Sequence, residues 1–326
     1  DYSNPTLTNC IIKFNLSYRD AGGIFCKESS PTIANCTITG NSAAKRPTGC
    51  GGGIYCLDSS SPAIINCTIS GNSADDYGGG IFVDFCTCKP IVINCILWGN
   101  MSNYGKEITL KSRLCTPYPS HLIVLYSDVE GGLEASYVGD GCTLTWNWSN
   151  IGADPCFVAL GYWDPNGTPE DANDDYWVDG DYHLLPDSPC IDAGDPNYVA
   201  EPNETDLDGR PRVINGRIDM GAYEYSPQIP AEVRFIPKTI NLRSKGKWIA
   251  AFIRLPEEYD VADIDPNTIL LQGEIEQQRF WFAKRYQFAI TGFSREDVQA
   301  ILSIGEVELT ITGRLTDGTF FEAKDI

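Results

Sequence analysis

The sequence predicts an all-β protein in three parts: a right-handed parallel β-helix, an acidic loop-rich module that closes it, and a C-terminal β-sandwich of the immunoglobulin-like kind. Three observations lead to this fold class. A phrase of roughly thirty residues repeats near the N-terminus, the acidic residues concentrate in the middle of the chain, and short apolar runs separated by turn residues fill the last part. We place the three parts at residues 1–130, 131–226 and 231–326.

The N-terminal repeat is an Asn-Cys pair preceded by apolar residues and followed by a β-branched or apolar pair. Its asparagines are separated by 26, 31 and 28 residues and are Asn9, Asn35, Asn66 and Asn94. A second phrase, Gly-Gly-Ile, begins between them at residues 22, 52 and 79. A unit this short cannot bury its own apolar side, but stacked copies can. The Leu-x-x-Leu-x-Leu phrase of the leucine-rich solenoid is missing, which leaves the parallel β-helix.

Alternating inward positions, such as Ile54 and Cys56, predict strands in each repeat, and the Pro and Gly residues between the runs predict turns. We expect neighbouring coils to lie one strand spacing apart, about 4.8 Å. The repeated asparagines then occupy the same corner of successive coils. We therefore predict an amide ladder along the axis of the solenoid.

The 13 cysteines are unusual beside two methionines and indicate an oxidising compartment or a chemical use. One coil position holds Cys10, Cys36, Cys67 and Cys95, and another holds Cys26 and Cys56. These columns are either inward rows of small apolar side chains or stacked bridges. We favour packing, because free cysteine is among the most buried residue types and parallel side chains fit disulfide geometry poorly. The better disulfide candidates lie outside the columns: Cys50, Cys86, Cys88, Cys115, Cys142, Cys156 and Cys190. No Cys-x-x-Cys pair is present, which argues against zinc and thioredoxin-type chemistry.

Most of the net charge of −20 lies in one segment. Residues 131–226 contain 3 basic and 19 acidic residues, a net of −16, against −1 before and −3 after this segment. Such a chain repels nucleic acid, whose binding needs a basic surface. No run of about eighteen apolar residues is present that could span a membrane. We therefore expect neither nucleic-acid binding nor membrane insertion.

Asp, Asn and Gly are dense in this acidic segment, as in residues 171–175 and 206–209. A calcium ion takes about six to eight oxygen ligands and neutralises clustered carboxylates. The alternative is a solvated, turn-forming set of residues, and no loop completes the EF-hand pattern. We predict Ca²⁺ as a cofactor, and the candidate ligands are Asp164, Asn166, Asp171, Asn173, Asp175, Asp179, Asp181, Asp206, Asp208 and Asp219.

Short strands separated by turn clusters predict the C-terminal sandwich. The apolar runs are residues 233–235, 248–253, 269–271, 280–282, 286–290 and 307–311. One helix is predicted from Ser294 to Leu302, with Ser294 as its N-cap and Asp297 three residues later. Two prolines in residues 226–230 predict the linker ahead of this domain.

Residues 51–72 resemble the repeats of secreted right-handed parallel β-helix proteins of the pectate-lyase-like superfamily. Residues 126–132 look like their last coils. Three further phrases resemble the closing, choice-of-anchor-type module of bacterial surface proteins: Ser-Pro-Cys-Ile-Asp-Ala-Gly-Asp within residues 181–195, Asp-Leu-Asp-Gly-Arg-Pro-Arg at 206–212 and Asp-Met-Gly-Ala-Tyr-Glu-Tyr at 219–225. The resemblance implies an extracellular surface protein. It implies no particular activity, because the superfamily includes lyases, hydrolases and adhesins.

The residues favour a non-enzymatic protein. The chain has two histidines, His121 and His183, and neither lies in the Gly-His-Gly phrase of the polygalacturonase type. The pairs Asp75-Asp76 and Asp174-Asp175 resemble glycosidase carboxylates only in being adjacent, and we interpret them as turn residues. Lyase chemistry needs an Arg or Lys base, but the three arginines of the acidic segment lie close to the closing phrases.

Carbohydrate binding is the second hypothesis. Five tryptophans lie near loops rich in Asn or Asp, where they either stack on sugars or wedge loops against the solenoid: Trp98, Trp146, Trp148, Trp163 and Trp177. We favour wedging. The sequence also contains candidate glycosylation sites at Asn15, Asn100, Asn147, Asn166 and Asn203. The sequons at Asn35 and Asn66 fall in the predicted ladder, which makes these two asparagines unavailable.

The chain begins inside a predicted coil and ends within a predicted strand, residues 320–326. Solenoid ends need caps, and an incomplete sandwich edge accepts a strand from a neighbour. We therefore expect a homo-oligomer or polymer, formed through the open β-helix end and a C-terminal edge strand, unless the chain is truncated. The overall expectation is an extracellular, self-associating structural protein, with polysaccharide as the alternative partner and polysaccharide cleavage third.

Overall fold

The computed structural model describes residues 3–43, 49–85, 87–111, 119–168, 175–214, 216–240, 246–316 and 318–326. The chain folds into two compact units, Asp1–Tyr225 and Ser226–Ile326. The first unit contains both the repeats and the acidic segment. The second contains the residues predicted to form a sandwich.

The first unit is a solenoid of short parallel strands followed by two small antiparallel hairpin-like pairs. In chain order the solenoid strands are β1 (Thr6–Thr8), β2 (Ile11–Lys13), β3 (Leu16–Ser17), β4 (Ile24–Lys27), β5 (Thr32–Ala34), β6 (Thr37–Thr39), β7 (Ser42–Ala43), β8 (Ile54–Leu57), β9 (Ala63–Ile65), β10 (Thr68–Ser70), β11 (Ser73–Ala74), β12 (Ile81–Asp84), β13 (Ile91–Ile93), β14 (Ile96–Trp98), β15 (Ile108–Lys111), β16 (His121–Leu125), β17 (Asp128–Val129), β18 (Tyr137–Val138) and β19 (Thr143–Trp146). A 3-10 turn lies at Leu133–Ala135. The later strands are β20 (Phe157–Ala159), β21 (Tyr162–Asp164), β22 (Tyr176–Val178) and β23 (Asp181–Leu184).

The solenoid strands stack in parallel columns, each strand pairing with the equivalent strand of the next coil. Among the described residues one column runs β1-β5-β9-β13-β16-β19, a second β2-β6-β10-β14-β17, a third β3-β7-β11 and a fourth β4-β8-β12-β15-β18. The register follows the sequence repeat: Ile33 lies beside Ile64, and Cys26 beside Cys56. The predicted parallel β-solenoid is therefore confirmed.

The corner between the first two columns explains the repeated asparagine. Asn9, Asn35, Asn66 and Asn94 have φ angles of 53°, 53°, 52° and 54°, which is the left-handed region. Asparagine tolerates this region better than other residues with a side chain. Each Asn therefore turns the chain from one strand to the next while its amide faces along the solenoid axis.

The predicted amide ladder forms over three coils. Asn94 Nδ2 donates to Asn66 Oδ1 at 3.0 Å, and Asn66 Nδ2 donates to Asn35 Oδ1 at 3.0 Å. Asn9 departs from the ladder, since its amide donates to Thr205 instead.

A second ladder, which the sequence analysis did not predict, runs through Asn15, Asn41, Asn72 and Asn100. Successive amides donate to the next carbonyl oxygen at 2.8, 2.9 and 2.9 Å. The ladder ends on Glu107, whose carboxylate accepts from Asn100 Nδ2 at 2.5 Å. Burial raises the pKa of Glu107 to about 8. Two parallel rows of buried amides thus fasten the coils on one side of the core.

The solenoid core consists of inward-facing Ile, Val, Leu and Cys side chains, most of them fully buried. The column cysteines belong to this core, and their thiols donate to backbone carbonyls: Cys36 to Ala34, Cys67 to Ile65 and Cys95 to Ile93 at 3.0, 3.1 and 3.2 Å. All six column cysteines are free thiols. Packing, rather than bridging, therefore describes these columns.

The second unit is a β-sandwich of one five-stranded and one four-stranded sheet. Its strands are β24 (Gln228–Pro230), β25 (Glu232–Ile236), β26 (Trp248–Arg254), β27 (Ile264–Leu271), β28 (Ile275–Glu276), β29 (Arg279–Ala283), β30 (Phe288–Ser294), β31 (Leu309–Leu315) and β32 (Phe320–Asp325), with 3-10 turns at Val261–Asp263 and Lys284–Tyr286. The sheet orders are β24-β32-β31-β27-β28 and β25-β26-β30-β29. The helix α1 (Arg295–Ile301) follows its N-cap Ser294, whose hydroxyl accepts from the Asp297 N–H as predicted.

The expectation of a C-terminal edge strand is wrong in this fold. Strand β32 pairs antiparallel with β31, and its residues 320–322 also pair in parallel with β24, so β24 and not β32 is the outermost strand of this sheet. The reason is that residues 228–230, predicted as linker, form the strand that covers it. Within the described residues α1 is the longest helix, and no helix is long and apolar enough to cross a membrane.

We expect Asn72→Ala to destabilise the solenoid by about 3 kcal/mol, because it leaves several buried polar groups without partners. Asn72 Oδ1 accepts from both nitrogens of Asn41, and Nδ2 donates to the Ile38 carbonyl at 2.8 Å. Denaturant unfolding of the full chain measures the change. The exposed Asn197→Ala is the matched control and should change stability by less than about 0.5 kcal/mol. Equal effects of the two substitutions would show that the ladder is not a stabilising element.

Candidate functional site

The candidate site is the part of the acidic closing module between residues 175 and 225. This part contains the closing phrases and most of the charged side chains that could bind or react with a ligand. The module lies against the corner between the first two strand columns, where the ladder of Asn35, Asn66 and Asn94 runs. We call this row of asparagines the corner column. The N–H groups of Gly221 and Asp195 donate to the backbone carbonyl and the side-chain oxygen of Asn94, at 2.8 and 2.7 Å. The Ala222 N–H donates to Thr68 Oγ1 at 3.1 Å. The closing module therefore binds the solenoid through backbone N–H groups.

The first amide ladder continues into this module. Asn66 Nδ2 donates to the Tyr198 hydroxyl at 3.1 Å, and Asn35 Nδ2 donates to Glu204 Oε1 at 3.2 Å. Tyr198 in turn donates to the same Glu204 oxygen at 2.5 Å. Hydrogen bonds from Tyr198, the Glu201 N–H and Asn35 help to lower the pKa of Glu204, although partial burial opposes them. The module thus forms hydrogen bonds with the same asparagine side chains that link successive coils.

Two glycines permit the close approach of the module. A Cβ on Gly221, which has φ of +97°, would lie 2.9 Å from Ile96 Cδ1. A Cβ on Gly71 would lie 1.7 Å from the ring of Trp177, which packs over this corner of the solenoid. Trp163 donates its indole N–H to the Gly71 carbonyl at 3.0 Å. These tryptophans wedge a hairpin onto the solenoid.

A charged network is buried inside the module. Arg212 Nη2 lies 3.1 Å from Glu224 Oε1, and both side chains are fully buried. Asp206 accepts the N–H groups of Arg210 and Glu224 at 2.7 and 3.0 Å. Asp219 accepts the N–H of Asp192 at 2.7 Å and that of Tyr225 at 2.5 Å. These carboxylates fold the loops by accepting backbone amides, which is what short acidic side chains do at turns.

Burial sets the ionisation of this network. Burial raises the pKa of Glu224, while the Arg212 guanidinium acts in the opposite direction and favours the ionised carboxylate. Burial also raises the pKa of Asp219 to about 6, against the two amides that it accepts. The charges therefore depend on their few partners and not on solvent.

His183 is held between two carboxylates at the module surface. Its Nδ1 lies 2.5 Å from Asp181 Oδ1 and its Nε2 lies 2.8 Å from Asp208 Oδ2. The ring packs on Tyr223, with centroids 4.2 Å apart. The hydrogen bond to Asp208 raises the pKa of His183, although burial opposes it. Both ring nitrogens are thus occupied by anchoring bonds.

The structure disperses the predicted calcium ligands. Asp179 binds Lys13, Asp181 and Asp208 bind His183, and Asp206 and Asp219 bind backbone amides, as given above. Asp164 accepts the N–H of Asn166 at 2.8 Å in an exposed turn. Asp171 and Asn173 lie outside the described residues, and Asp175 lies at their border. In the described part of the chain no group of three or more His, Cys, Asp or Glu side chains is arranged to hold a metal. Calcium binding by the predicted ligands therefore stays a prediction.

The other predicted tryptophans and sequons are placed unevenly. Trp146 packs against the solenoid core and Trp98 against the module, whereas Trp148 is 92% exposed. Asn166 and Asn203 are exposed, Asn147 is half-buried, and Asn15 donates within the second ladder. Asn100 is 1% exposed, and its amide nitrogen donates to Ile69 and Glu107. The fold therefore leaves no room for a glycan on Asn100.

The disulfide candidates that the structure describes do not support a disulfide framework. Cys88, Cys142, Cys156 and Cys190 are free thiols, and Cys86 and Cys115 lie outside the described residues. Cys190 is fully buried and donates to Asp128 Oδ2 at 3.3 Å. Burial raises the pKa of Asp128 to about 7 and that of the Cys190 thiol well above its ordinary value. Cys190 thus joins module and solenoid by a hydrogen bond and not by a bridge.

An aromatic column on the outer side of the solenoid is a further feature that the sequence analysis missed. Neighbouring ring centroids are 4.8–5.8 Å apart along the row Phe25, Tyr55, Phe82, Tyr77 and Tyr104, with Tyr137 5.7 Å from Tyr77. Lys111 Nζ lies 3.6 Å from the centroid of the Tyr77 ring. The signal was present in the sequence, because the aromatic residue after Gly-Gly-Ile recurs at residues 25, 55 and 82.

Comparison with known proteins gives one match. The family model of the right handed beta helix region matches residues 1–118. This part of the chain is a right-handed β-helix. Neither the search of curated proteins nor the search of solved structures found a match. The match covers the repeats and not the acidic module or the sandwich.

The charged side chains of the module have partners within the first unit. Its carboxylates and both nitrogens of His183 bind partners inside the first unit, while His121 bonds to Thr145 Oγ1 at 2.7 Å on a different face of the β-helix. The module therefore acts on the β-helix by covering its corner column.

We expect Arg212→Met to destabilise the first unit by about 3–5 kcal/mol, because it leaves Glu224 buried without its partner. Lys13→Met, which removes an exposed ion pair with Asp179, should cost at most about 1 kcal/mol. Denaturant unfolding compares the two variants. The double variant Arg212→Met with Glu224→Leu should recover part of the loss. A loss for Arg212→Met no larger than for Lys13→Met would contradict the buried network.

We expect His183 to stabilise the protein in a pH-dependent manner. Its pKa is raised in the folded state, so its contribution is fully present below the unfolded value of about 6.5 and is lost as pH rises through the folded pKa. His183→Gln should therefore lower Tm more at acidic than at alkaline pH. Thermal melts across this range measure the difference, and Asp208→Asn should reduce it. A difference that is independent of pH would contradict the assignment.

Proposed function

We propose that this protein is an extracellular, non-enzymatic structural protein of the cell surface that associates with copies of itself. The observation that carries the proposal is the use of the closing module. Its charged side chains have partners within the first unit: Arg212 bonds to Glu224 inside the module, and Glu204 accepts a hydrogen bond from Asn35 of the β-helix. Rigidity, and not chemistry, is what this arrangement provides.

Exposed apolar side chains support self-association. Five apolar side chains in strands β2–β4 and the adjoining turns are each about half exposed: Ile11, Phe14, Leu16, Tyr18 and Phe25. Several half-exposed apolar side chains within one coil favour an interaction surface more than a single exposed one does. The resemblance of the repeats and closing phrases to bacterial surface proteins supports the extracellular location.

Carbohydrate attachment is a second candidate, and the aromatic column favours it. Tyr104 is 50% and Tyr137 36% exposed, so the column presents two rings to solvent beside the Lys111 ammonium. Rings of this kind stack on the apolar faces of sugars while the charged group bonds to hydroxyl or carboxylate oxygens. A polysaccharide partner on this face is compatible with a structural role.

The non-enzymatic part of the proposal is tested with acidic and neutral polysaccharides. We expect the purified chain to release neither unsaturated uronates nor reducing ends from polygalacturonate, with or without added calcium. A commercial lyase serves as the positive control. Release that rises with protein concentration and is lost on heating would overturn the non-enzymatic assignment.

Self-association and attachment are tested on the same preparation. Light scattering coupled to size exclusion should show a mass that rises with protein concentration. Pull-down on immobilised polysaccharides, with Tyr104→Ala as the variant, tests attachment separately. A constant monomer mass that coincides with Tyr104-dependent pull-down would replace self-association with carbohydrate attachment.

A further inference from the structure

The second unit contains an edge strand whose side chains are apolar. Strand β29 lies at the end of the four-stranded sheet and pairs with β30 from Arg279–Gly292 to Ala283–Phe288. In the described part of the chain no strand pairs with its other edge. Trp281 is 49% and Phe282 47% exposed. A bare edge of this length, with aromatic side chains, is a template for pairing with another strand.

The other edges of the sandwich are protected in ways that β29 is not. Strand β24 has only three residues and ends in Pro230, which cannot donate a ladder hydrogen bond. Strand β28 has two residues. On β25 the Phe235 N–H is already bonded to Asp325 Oδ2 at 2.9 Å. Within β29, by contrast, residues 280–282 contain neither proline nor charge.

The charged residues that flank this segment have partners within the second unit. The Arg279 guanidinium stacks on the Trp248 ring, 4.3 Å from its centroid, on the outer face of the sheet. Lys284 Nζ binds Asp260 Oδ2 at 2.7 Å. Positive charges at an edge normally discourage pairing, but here both have partners within their own unit. The edge therefore presents its aromatic centre.

We propose that β29 pairs with β29 of a second copy of this chain, antiparallel and about a two-fold axis at Trp281. This deepens, and rests on, the self-association in the proposed function. The strand is five residues long with Trp281 at its centre, so full overlap places Trp281 opposite its equivalent. Phe280 then lies opposite Phe282, and Arg279 opposite Ala283. No like charges face each other, and the aromatic pairs are of the kind that stabilises neighbouring strands.

The two-fold arrangement explains why a second copy is the occupant. An isologous contact requires a surface that is complementary to itself, and this strand is complementary to itself in the one register that uses its whole length. The result is a continuous eight-stranded sheet across two molecules. Because a single strand pair buries little area, we expect reversible association that depends on concentration.

Sedimentation equilibrium of the full chain tests the surface. We expect Trp281→Lys to raise the dimer dissociation constant at least about tenfold, because two ammonium groups then face each other. Ile304→Lys is the matched control, since Ile304 is 94% exposed in the same unit but lies outside β29, and it should leave the constant unchanged. Unchanged circular dichroism confirms folding. Association that Trp281→Lys does not weaken would overturn this inference while leaving self-association intact, whereas a monomer at all concentrations would overturn both.

Cysteine cross-linking tests the register. Arg279→Cys and Ala283→Cys are made as separate variants, and each should give no more cross-linked dimer than the parent chain under mild oxidation. A mixture of the two should cross-link, because residue 279 of one copy lies opposite residue 283 of the other. Cross-linking of either variant alone, equal to that of the mixture, would overturn the two-fold register.

Discussion

The left-handed corner at each Asn-Cys pair is the constraint on which the first unit depends. A residue with φ near +53° must turn the chain once per coil, and asparagine does so while leaving its amide free to bond along the axis. The same side chain at Asn94, Asn66 and Asn35 then supplies acceptors and donors to the closing module. Coil geometry, coil stacking and module docking therefore share one residue type.

This dependence explains why the acidic phrases accept backbone amides. Once the module docks on the corner column, its loops are covered on one side and their backbone amides need acceptors. Asp206 and Asp219 supply these acceptors. Arg212 forms an ion pair with Glu224 and so offsets part of the negative charge of the module. The oxygens of these carboxylates that accept amides therefore have partners within the first unit.

The sequence predicted what local periodicity controls. The solenoid columns, the ladder of Asn35, Asn66 and Asn94, and the capped helix at Ser294 follow from spacing and side-chain chemistry within a few residues. It did not predict the ladder through Asn41 and Asn72, although the Gly-Asn pairs repeat, because a Gly-Asn pair equally indicates an exposed turn. The roles of Asp206 and Asp219 depend on amides brought close only when residues 192–225 fold together. The two prolines in residues 226–230 predict a linker, and for this reason the sequence does not place a strand beside residues 320–322.

The two units differ in whether their polar groups have hydrogen-bond partners within the same unit. This difference is relevant to the proposed self-association. The β-helix bonds its ladder amides to one another, and the module covers its corner column. Side chains that are already ordered lose little conformational entropy when a protein associates. The sandwich instead leaves one strand edge with aromatic side chains and no partner in the described residues. A single strand pair is a weak contact, but weak contacts that act together on rigid bodies give strong overall binding. Self-association therefore needs only a modest interface at β29 when a second surface, such as the exposed side chains of β2–β4, is also engaged.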